Sequence, residues 1–470
     1  MRRTKIVCTV GPACEDTDKL NQLVEAGADV FRLNFSHGTP EQHRERVGRI
    51  RHVEQLTGKP LGILQDLPGP KIRIGTFEHG PVTLVVGEHF ILTTEPAVGD
   101  RHRVSVNYPL LAKEILAGQH LLLADGGIEL LIDDVEPPEI RCTVLIGGLL
   151  SNQKGVSAPR AALSVSAFTD KDRALLLAGI EMGVSMAALS FVRSSQDIQA
   201  ARAFMAENGV YLPLMAKIEK PEAVDNLDDI LRNVDFIMVA RGDLGVEIPF
   251  ADVPLVQKDI IRKALIAAKP VITATQMLRS MVESPRPTRA EATDVANAVL
   301  DGSDAVMLSE ESAVGAYPVE AVRALAMIAE KAETRLFQER AFIDMPPRDQ
   351  SDVSSAIGHA ACVLARDAGA KAIVCCTRSG YTARLVARHR PSIPIIAISP
   401  NIETIRRMTL VWGVTPVLAD EFHTTDGMTK NALEAARNAG LTSGDRIVIA
   451  GGSPAAGPGF TDFLKVAMTP

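Results

Sequence analysis

The amino-acid sequence predicts an α/β protein: a (β/α)8 TIM barrel interrupted by an inserted small β-barrel lid domain and followed by a C-terminal α/β domain. Three observations carry that expectation. Eight short apolar runs have the length and branching of buried parallel strands. Amphipathic helical stretches separate most of them, the alternation a barrel of parallel strands requires. The spacing breaks between the third and fourth runs, and the pattern restarts after a polar stretch near residue 343.

The eight runs are TKIVCTV (4–10), VFRLNF (30–35), LGILQDL (61–67), SMAALSF (185–191), YLPLMAKI (211–218), DFIMVAR (235–241), PVITAT (270–275) and DAVMLS (304–309). TDKLNQLVEAG, TDKDRALLLAGIEMG and PLVQKDIIRKALIAAK are helical stretches between them. Residues 74–158 contain VTLVVGEHFILTT, HLLLADGGIELLIDDVE and RCTVLIGGLL, alternating segments punctuated by Gly, Pro and Asp, which suit a small antiparallel β unit rather than a crossover helix. Inserted after the third strand, it lies at the strand-end face of the barrel, where a lid would sit. After IDMPPRDQSD, the runs AIVCCT, IPIIAIS, TPVLA and DRIVIAG alternate with helical stretches such as AIGHAACVLARDAG. The expected units are therefore 1–73 with 159–342 for the barrel, 74–158 for the lid and 343–470 for the C-terminal domain.

Composition narrows the function classes. With 46% hydrophobic and 23% charged residues, the 470-residue chain is an ordinary folded protein, long enough for several cores. Its net charge of -7 argues against broad attraction to nucleic acid or anionic membranes, so any anionic ligand must be held locally. The six cysteines show no paired CxxC spacing and read as reduced, structural thiols of a cytoplasmic protein. The opening MRRTKIVCTVGPA is not expected to act as a signal peptide, because its apolar core is too short and contains Thr9. No run has the roughly 18 apolar residues of a membrane span.

Polar residues at the ends of barrel strands carry the functional information, because the active sites of barrel enzymes lie at that face. The second strand ends in Arg32, Asn34, Ser36 and His37, the third in Asp66, with Lys71 and Arg73 beyond. Lys217 and Glu219 follow the fifth, Arg241 and Asp243 the sixth, Thr275 the seventh, and Ser309 and Glu311 the eighth. The period-two spacing of Arg32, Asn34 and Ser36, of Lys217 and Glu219, and of Arg241 and Asp243 predicts that each set points to one side of its strand, into one cavity. For any single pair, a salt bridge plugging the barrel end explains the residues as well. As a group, several cations with two or three carboxylates suit a phosphorylated substrate and a hard divalent cation, with Glu219 and Asp243 as metal ligands. There is no GxxxxGK[ST] loop, so nucleotide phosphates would need arginines, lysines and the metal.

As strings these residues are FRLNFSHG (31–38), DLPGPKIR (66–73), MAKIEKPEAVDN (215–226), IMVARGDLGVEIP (237–249), TATQML (273–278) and MLSEESAVGAYPVEAV (307–322). Together with GGLLSNQKGV and GDRIVIAGGSPAAGPG they resemble the pyruvate kinase family over almost the whole chain. The resemblance implies phosphoryl transfer from phosphoenolpyruvate to ADP, giving pyruvate and ATP, with Mg2+ or Mn2+ held by Glu219 and Asp243. It implies Lys217 as the lysine stabilising the transferring phosphoryl group and the developing enolate, Arg32 and Arg73 on phosphates, and Gly242, Asp243 and Thr275 at the substrate carboxylate. Thr275 is also implied in protonating the enolate, and Asn34, His37, Arg73 and Lys154 in binding the nucleotide. The resemblance also suggests a homotetramer.

Departures from the family pattern sharpen the expectation. Lys71 stands where potassium-dependent members carry Glu, and Leu67 and Pro68 where they commonly carry Thr and Lys. The monovalent-cation site of those members matches Asn34, Ser36, Asp66 and the carbonyl of Leu67. An ammonium at Lys71 can fill the same space with the same charge, so K+ is expected not to be required. Gln153 replaces a lysine common at the nucleotide, a role Lys154 could take over, and Glu310 replaces a glycine. In the C-terminal domain, the loop of CCTRSGYTARLV reads equally as a phosphate site or a capped strand-helix turn. The resemblance favours a phosphorylated effector there, with Thr377, Ser379 and Thr382 as contacts. Two other readings remain open: a barrel that makes or cleaves carbon bonds through a Mg2+-bound enolate, and a metabolite sensor with a vestigial barrel.

Overall fold

The computed structural model describes residues 2–161, 163–339, 345, 352–453 and 459–470. The predicted break at 343 and part of GGSPAAGPG lie outside the described residues. Among the described residues, eight parallel strands close a barrel: Lys5–Thr9, Val30–Asn34, Gly62–Asp66, Met186–Leu189, Leu214–Ile218, Phe236–Ala240, Val271–Ala274 and Ala305–Leu308. Each pairs with its chain neighbours, and the first pairs with the eighth to close the ring. All eight predicted runs supply these strands. They are buried on both faces, which is why they read as unbroken apolar runs rather than as alternation.

The helices start where local chemistry dictates. Thr39, Thr169, Ser194 and Thr288 each accept a hydrogen bond from the backbone three residues on or nearby and form capping boxes with Gln42, Asp172, Asp197 and Glu291. Glycines in the left-handed region end several of these helices: Gly58, Gly183 and Gly302.

Between the third and fourth barrel strands the chain builds a separate, mostly antiparallel sheet. Its six strands run in the order Val156–Ser157, His120–Leu123, Ile128–Glu136, Glu139–Ile146, His89–Thr93 and Arg103–Ser105, with only the last pair parallel. It has its own core, including Phe90, Leu92, Leu121, Leu130 and Ile140. In the C-terminal domain four parallel strands, ordered Val414–Leu418, Ile395–Ser399, Ala372–Cys376 and Arg446–Gly451, are covered by apolar clusters on both faces. A fifth, antiparallel edge strand, Phe463–Met468, was not anticipated from the sequence. Its segment FLKVAM is apolar at five of six positions, but Lys465 interrupts the run and the strand is half-exposed.

The C-terminal domain forms the floor of the barrel. Leu410 packs into the cluster filling the barrel interior, with Val7, Val30, Leu64, Met215, Phe236 and Met307. Beside it lies a fully buried ion pair. The Arg390 guanidinium donates to Asp304 Oδ2 at 2.7 Å and stacks 5.1 Å from the Trp412 ring, while Asp304 also accepts from the Trp412 and Val271 backbone N–H groups. At the edge of this floor Arg406 joins Glu54 at 2.7 Å, and Glu54 also accepts from the Leu61 N–H. All six cysteines are free and buried, with Cys14 pushed up to about 11 by burial and Cys362 to about 12, so they are inert thiols as expected.

Two outcomes follow for stability. Asp304→Ala leaves Arg390 buried without its counter-charge, and should cost about 3 kcal/mol or more, read as a lowered denaturation midpoint. Burial opposes ionisation of Glu54, but Arg406, the Leu61 N–H and Arg51 outweigh it and hold its carboxyl below the ordinary value. The Glu54 contribution is thus complete above the unfolded carboxyl pKa of about 4.3 and is lost as pH falls through the lower folded value. The melting-temperature gap between the parent and Glu54→Gln should be open at pH 7 and close progressively below pH ~4.3. A gap that does not change with pH would remove this contact from the acid sensitivity.

Candidate active site

The mouth of the barrel holds a cavity of about 500 Å3 lined by Arg32, Asn34, Ser36, His37, Asp66, Pro68, Lys71, Arg73, Ser190, Phe191, Lys217, Glu219 and Asp243. Four cations and three carboxylates therefore share one space. At its centre the Lys217 ammonium lies 2.7 Å from Glu219 Oε1 and 3.3 Å from Asp66 Oδ1, and donates to Ser190 Oγ at 2.8 Å. Asp66 is 2% exposed, and its other oxygen accepts from Arg32 Nε and Nη2 at 2.7 and 2.6 Å. Arg32 is braced further by Thr9 Oγ1.

The electrostatics follow from that packing. Burial alone would depress the Lys217 pKa, but Asp66, Glu219 and Asp243 more than offset it and hold the ammonium above the ordinary lysine value. Burial also works against the Asp66 charge, which Lys217 and Arg32 restore, leaving its pKa below normal. Glu219 behaves in the opposite way: burial, with the like charge of Asp243, pushes it up despite Lys217. Both carboxylates line the cavity, and Glu219, though held by Lys217 and the Phe191 N–H, can still offer lone pairs beside Asp243, a donor set that suits a hard divalent ion. Among the described residues no group of three or more His, Cys, Asp or Glu is placed to share a metal ion, so Glu219 and Asp243 would leave most of an octahedron to water and substrate.

Several expectations need correction. Arg241 and Asp243 do not alternate along a strand. The sixth strand ends at Ala240, and Arg241–Glu247 is a helix, in which residues two apart face different directions. Asp243 lines the cavity; Arg241 turns away to pair with Asp294 at 2.7 Å and to donate to the Thr275 carbonyl. Glu311 also stays out of the cavity, accepting from the Leu278 and Ser309 backbone N–H groups as a buried brace. Lys154 is exposed on the lid and does not line the cavity, while neighbouring Gln153 holds Arg73 through its carbonyl, at 2.8 Å. Glu310 pairs with Arg279 at 2.9 Å on the surface.

Thr275 stands one step behind the cavity wall. Its hydroxyl accepts from the Gly242 N–H at 2.7 Å and donates to the Ala274 carbonyl. With φ of +69°, this β-branched residue occupies the left-handed region, a strained conformation of the kind that collects at functional sites. Lys71 lines the cavity beside Asn34, Ser36 and Asp66 and makes no ion pair among the described residues; Asp66 itself is engaged by Arg32 and Lys217. The Leu67 carbonyl accepts from Ser190 Oγ at 2.7 Å.

Ser190 and Phe191 are the residues the sequence reading missed. The hydroxyl of Ser190 bridges Lys217 and Leu67, and the Phe191 N–H donates to Glu219 Oε2 at 2.7 Å, with Phe191 itself at positive φ. The available signal is a lone uncharged serine at the end of the fourth strand.

In the C-terminal domain Thr377, Ser379 and Thr382 line one pocket of about 930 Å3. Thr377 Oγ1 already accepts from the Gly380 N–H, and the Thr382 and Thr461 hydroxyls bond each other at 2.7 Å, leaving Ser379 exposed.

A closed barrel with ionic groups gathered at the C-terminal ends of its strands, a sheet domain inserted there and a doubly covered sheet beneath defines a barrel enzyme for small anionic substrates. Residues 1–322 match the family of the pyruvate kinase barrel domain, and residues 355–467 that of the pyruvate kinase alpha/beta domain. The chain belongs to the pyruvate kinase family. It is 45% identical over 470 residues to pyruvate kinase 2 of a Synechocystis strain, covering 99% of this chain and 79% of that protein. It is also 45% identical to the pyruvate kinase of Geobacillus stearothermophilus, covering 99% and 80%, and 41% identical to that of Clostridium acetobutylicum, covering 99% of each. The crystal structure of a pyruvate kinase from Cryptosporidium parvum superposes with a TM-score of 0.92 at 36% identity, covering 100% of this chain and 96% of that one. Among the described residues no helix is long and apolar enough to cross a membrane.

Proposed function

We propose that the barrel mouth transfers the phosphoryl group of phosphoenolpyruvate to ADP, yielding pyruvate and ATP, with Mg2+ held by Glu219 and Asp243. The observation that carries this reading is the buried Lys217 ammonium among Asp66, Glu219 and Ser190. When bound, the ion would neutralise charge on the substrate carboxylate and phosphoryl oxygens. The protein's own groups do the rest. Arg32, oriented by Asp66 and Thr9, and Arg73, oriented by Gln153, present cations to phosphate oxygens. Lys217, kept protonated, faces the phosphoryl group as the bond from phosphorus to the enol oxygen breaks and that to the ADP oxygen forms. The enolate electron pair then takes a proton at carbon, for which the Thr275 hydroxyl is the proposed relay. Asn34 and His37 are proposed on the nucleotide side, with Lys154 reaching it only if the lid moves. The proposed units are 1–73 with 159–342, 74–158 as a lid that excludes water from the enolate, and 343–470. Thr377, Ser379 and Thr382 are proposed to receive a phosphorylated effector, in a homotetramer.

A lactate dehydrogenase-coupled assay should show turnover with phosphoenolpyruvate, ADP and Mg2+ that EDTA abolishes. Lys217→Met should lower kcat by about 100- to 1,000-fold or more. Undiminished activity in EDTA, or in that variant, would remove the proposed chemistry.

We also propose that the Lys71 ammonium stands in for a monovalent cation, supported by its place beside Asn34, Ser36 and Asp66 without an ion-pair partner of its own among the described residues. Turnover in Tris or sodium buffer should match that in potassium, and Lys71→Glu should create a potassium requirement. Negligible turnover of the parent that potassium restores would overturn this.

A further inference from the structure

Glu219 is fixed directly, by Lys217 and the Phe191 N–H, but Asp243 accepts no hydrogen bond among the described residues. Its position depends on the short helix Arg241–Glu247 that carries it. That helix is anchored at its far end. Glu247, 5% exposed, accepts from Lys220 Nζ at 2.5 Å and from Ser157 Oγ at 2.8 Å, both on the same oxygen. The three residues come from different parts of the chain. Lys220 directly follows Glu219, and Ser157 lies in the strand Val156–Ser157 at the root of the lid sheet. All three residues line a cleft of about 870 Å3 between lid and barrel that also reaches Glu219 and Asp243.

Two features mark this contact as more than packing. Asp243 and Glu247 are four residues apart on one helix and so lie on one face, about 6 Å apart along its axis. The Lys220–Glu247 pair thus links the residue after Glu219 to the helix turn after Asp243. Glu247 is also a costly residue to bury, because its second oxygen has no hydrogen-bond partner. A half-satisfied buried carboxylate is not explained by a gain in stability.

We propose that Glu247, through Lys220 and Ser157, is a positioning residue that sets the spacing of the Glu219 and Asp243 carboxylates and ties the root of the lid to them. This rests on the reading of those two carboxylates as the divalent-metal site. Glu247 does not touch substrate; it acts by holding the Asp243 helix at the end of the fifth strand, and any displacement of the lid root reaches the carboxylate pair through Ser157.

The test is Mn2+ binding to the full-length chain without substrates, followed by electron paramagnetic resonance, for the parent, Glu247→Gln, Lys220→Met, Lys220→Arg and Ser157→Ala. Loss of such a supporting contact weakens metal binding by about 10- to 100-fold, and that is expected for Glu247→Gln and Lys220→Met. Ser157→Ala should have a smaller effect, and Lys220→Arg should restore most of the affinity. In the coupled assay kcat should fall more than the KM for phosphoenolpyruvate changes. Unchanged Mn2+ affinity in Glu247→Gln and Lys220→Met, with circular dichroism like the parent's, would overturn the proposal. Should Glu247→Gln fail to fold, Lys220→Met decides alone, since the Lys220 side chain is partly exposed. A parent that binds Mn2+ but does not turn over phosphoenolpyruvate overturns the functional reading and leaves this one standing.

Discussion

The constraint on which the mouth of the barrel depends is the burial of one lysine. An ammonium out of water is expensive unless opposite charges meet it at short range, and two meet Lys217: Glu219, two residues on at the end of the same fifth strand, and Asp66, on the third. Asp66 comes within reach only once the fourth strand is placed between the third and the fifth, and that strand supplies Ser190 and the Phe191 N–H. Closing the barrel and assembling the ionic cluster are the same event. The cluster in turn decides what else the cavity accepts, because Asp66 is held by both Lys217 and Arg32, whereas Glu219 meets Lys217 alone among cations and Asp243 makes no ion pair among the described residues.

The floor of the barrel uses the same kind of interaction for the opposite purpose. Asp304 and Arg390 are as deeply buried as the groups at the mouth, yet every hydrogen bond to Asp304 is made by the protein and no cavity space is left for a ligand-sized molecule. Leu410 enters the barrel interior from the C-terminal domain, so part of the barrel's own core is contributed by a separate folding unit. Charge at the mouth faces open space and is available for chemistry; charge at the floor is used to dock two domains. The inserted domain meets the barrel at its root partly through the hydrogen bond from Ser157 to Glu247.

How much of this could be read from the chain depends on the range of the interaction. The eight barrel strands were legible because a strand buried on both faces leaves a continuous apolar run, as VITA and AVML do, and helices between them because stretches such as TDKDRALLLAGIEMG repeat their apolar residues at helical spacing. Charged groups at strand ends were legible for the same reason, since Lys217, Glu219 and Asp66 are conspicuous beside apolar strands. The edge strand Phe463–Met468 escaped because Lys465 breaks its short apolar run FLKVAM and the strand pairs on one side only.

By itself the sequence determined the order of elements, the insertion between the third and fourth strands and the set of ionisable groups brought to one end of the barrel, because each of these follows from periodicity within a dozen residues. Only the tertiary structure decided which of those groups face the cavity. Arg241 and Asp243 are separated by one residue, yet the turn from strand to helix sends one to Asp294 and the other to Glu219's side of the mouth. The contacts of Ser190, Glu311 and Glu247 were decided in the same way. Each is set by partners far off in the chain, and local spacing holds no record of a contact that exists only once the ring has closed.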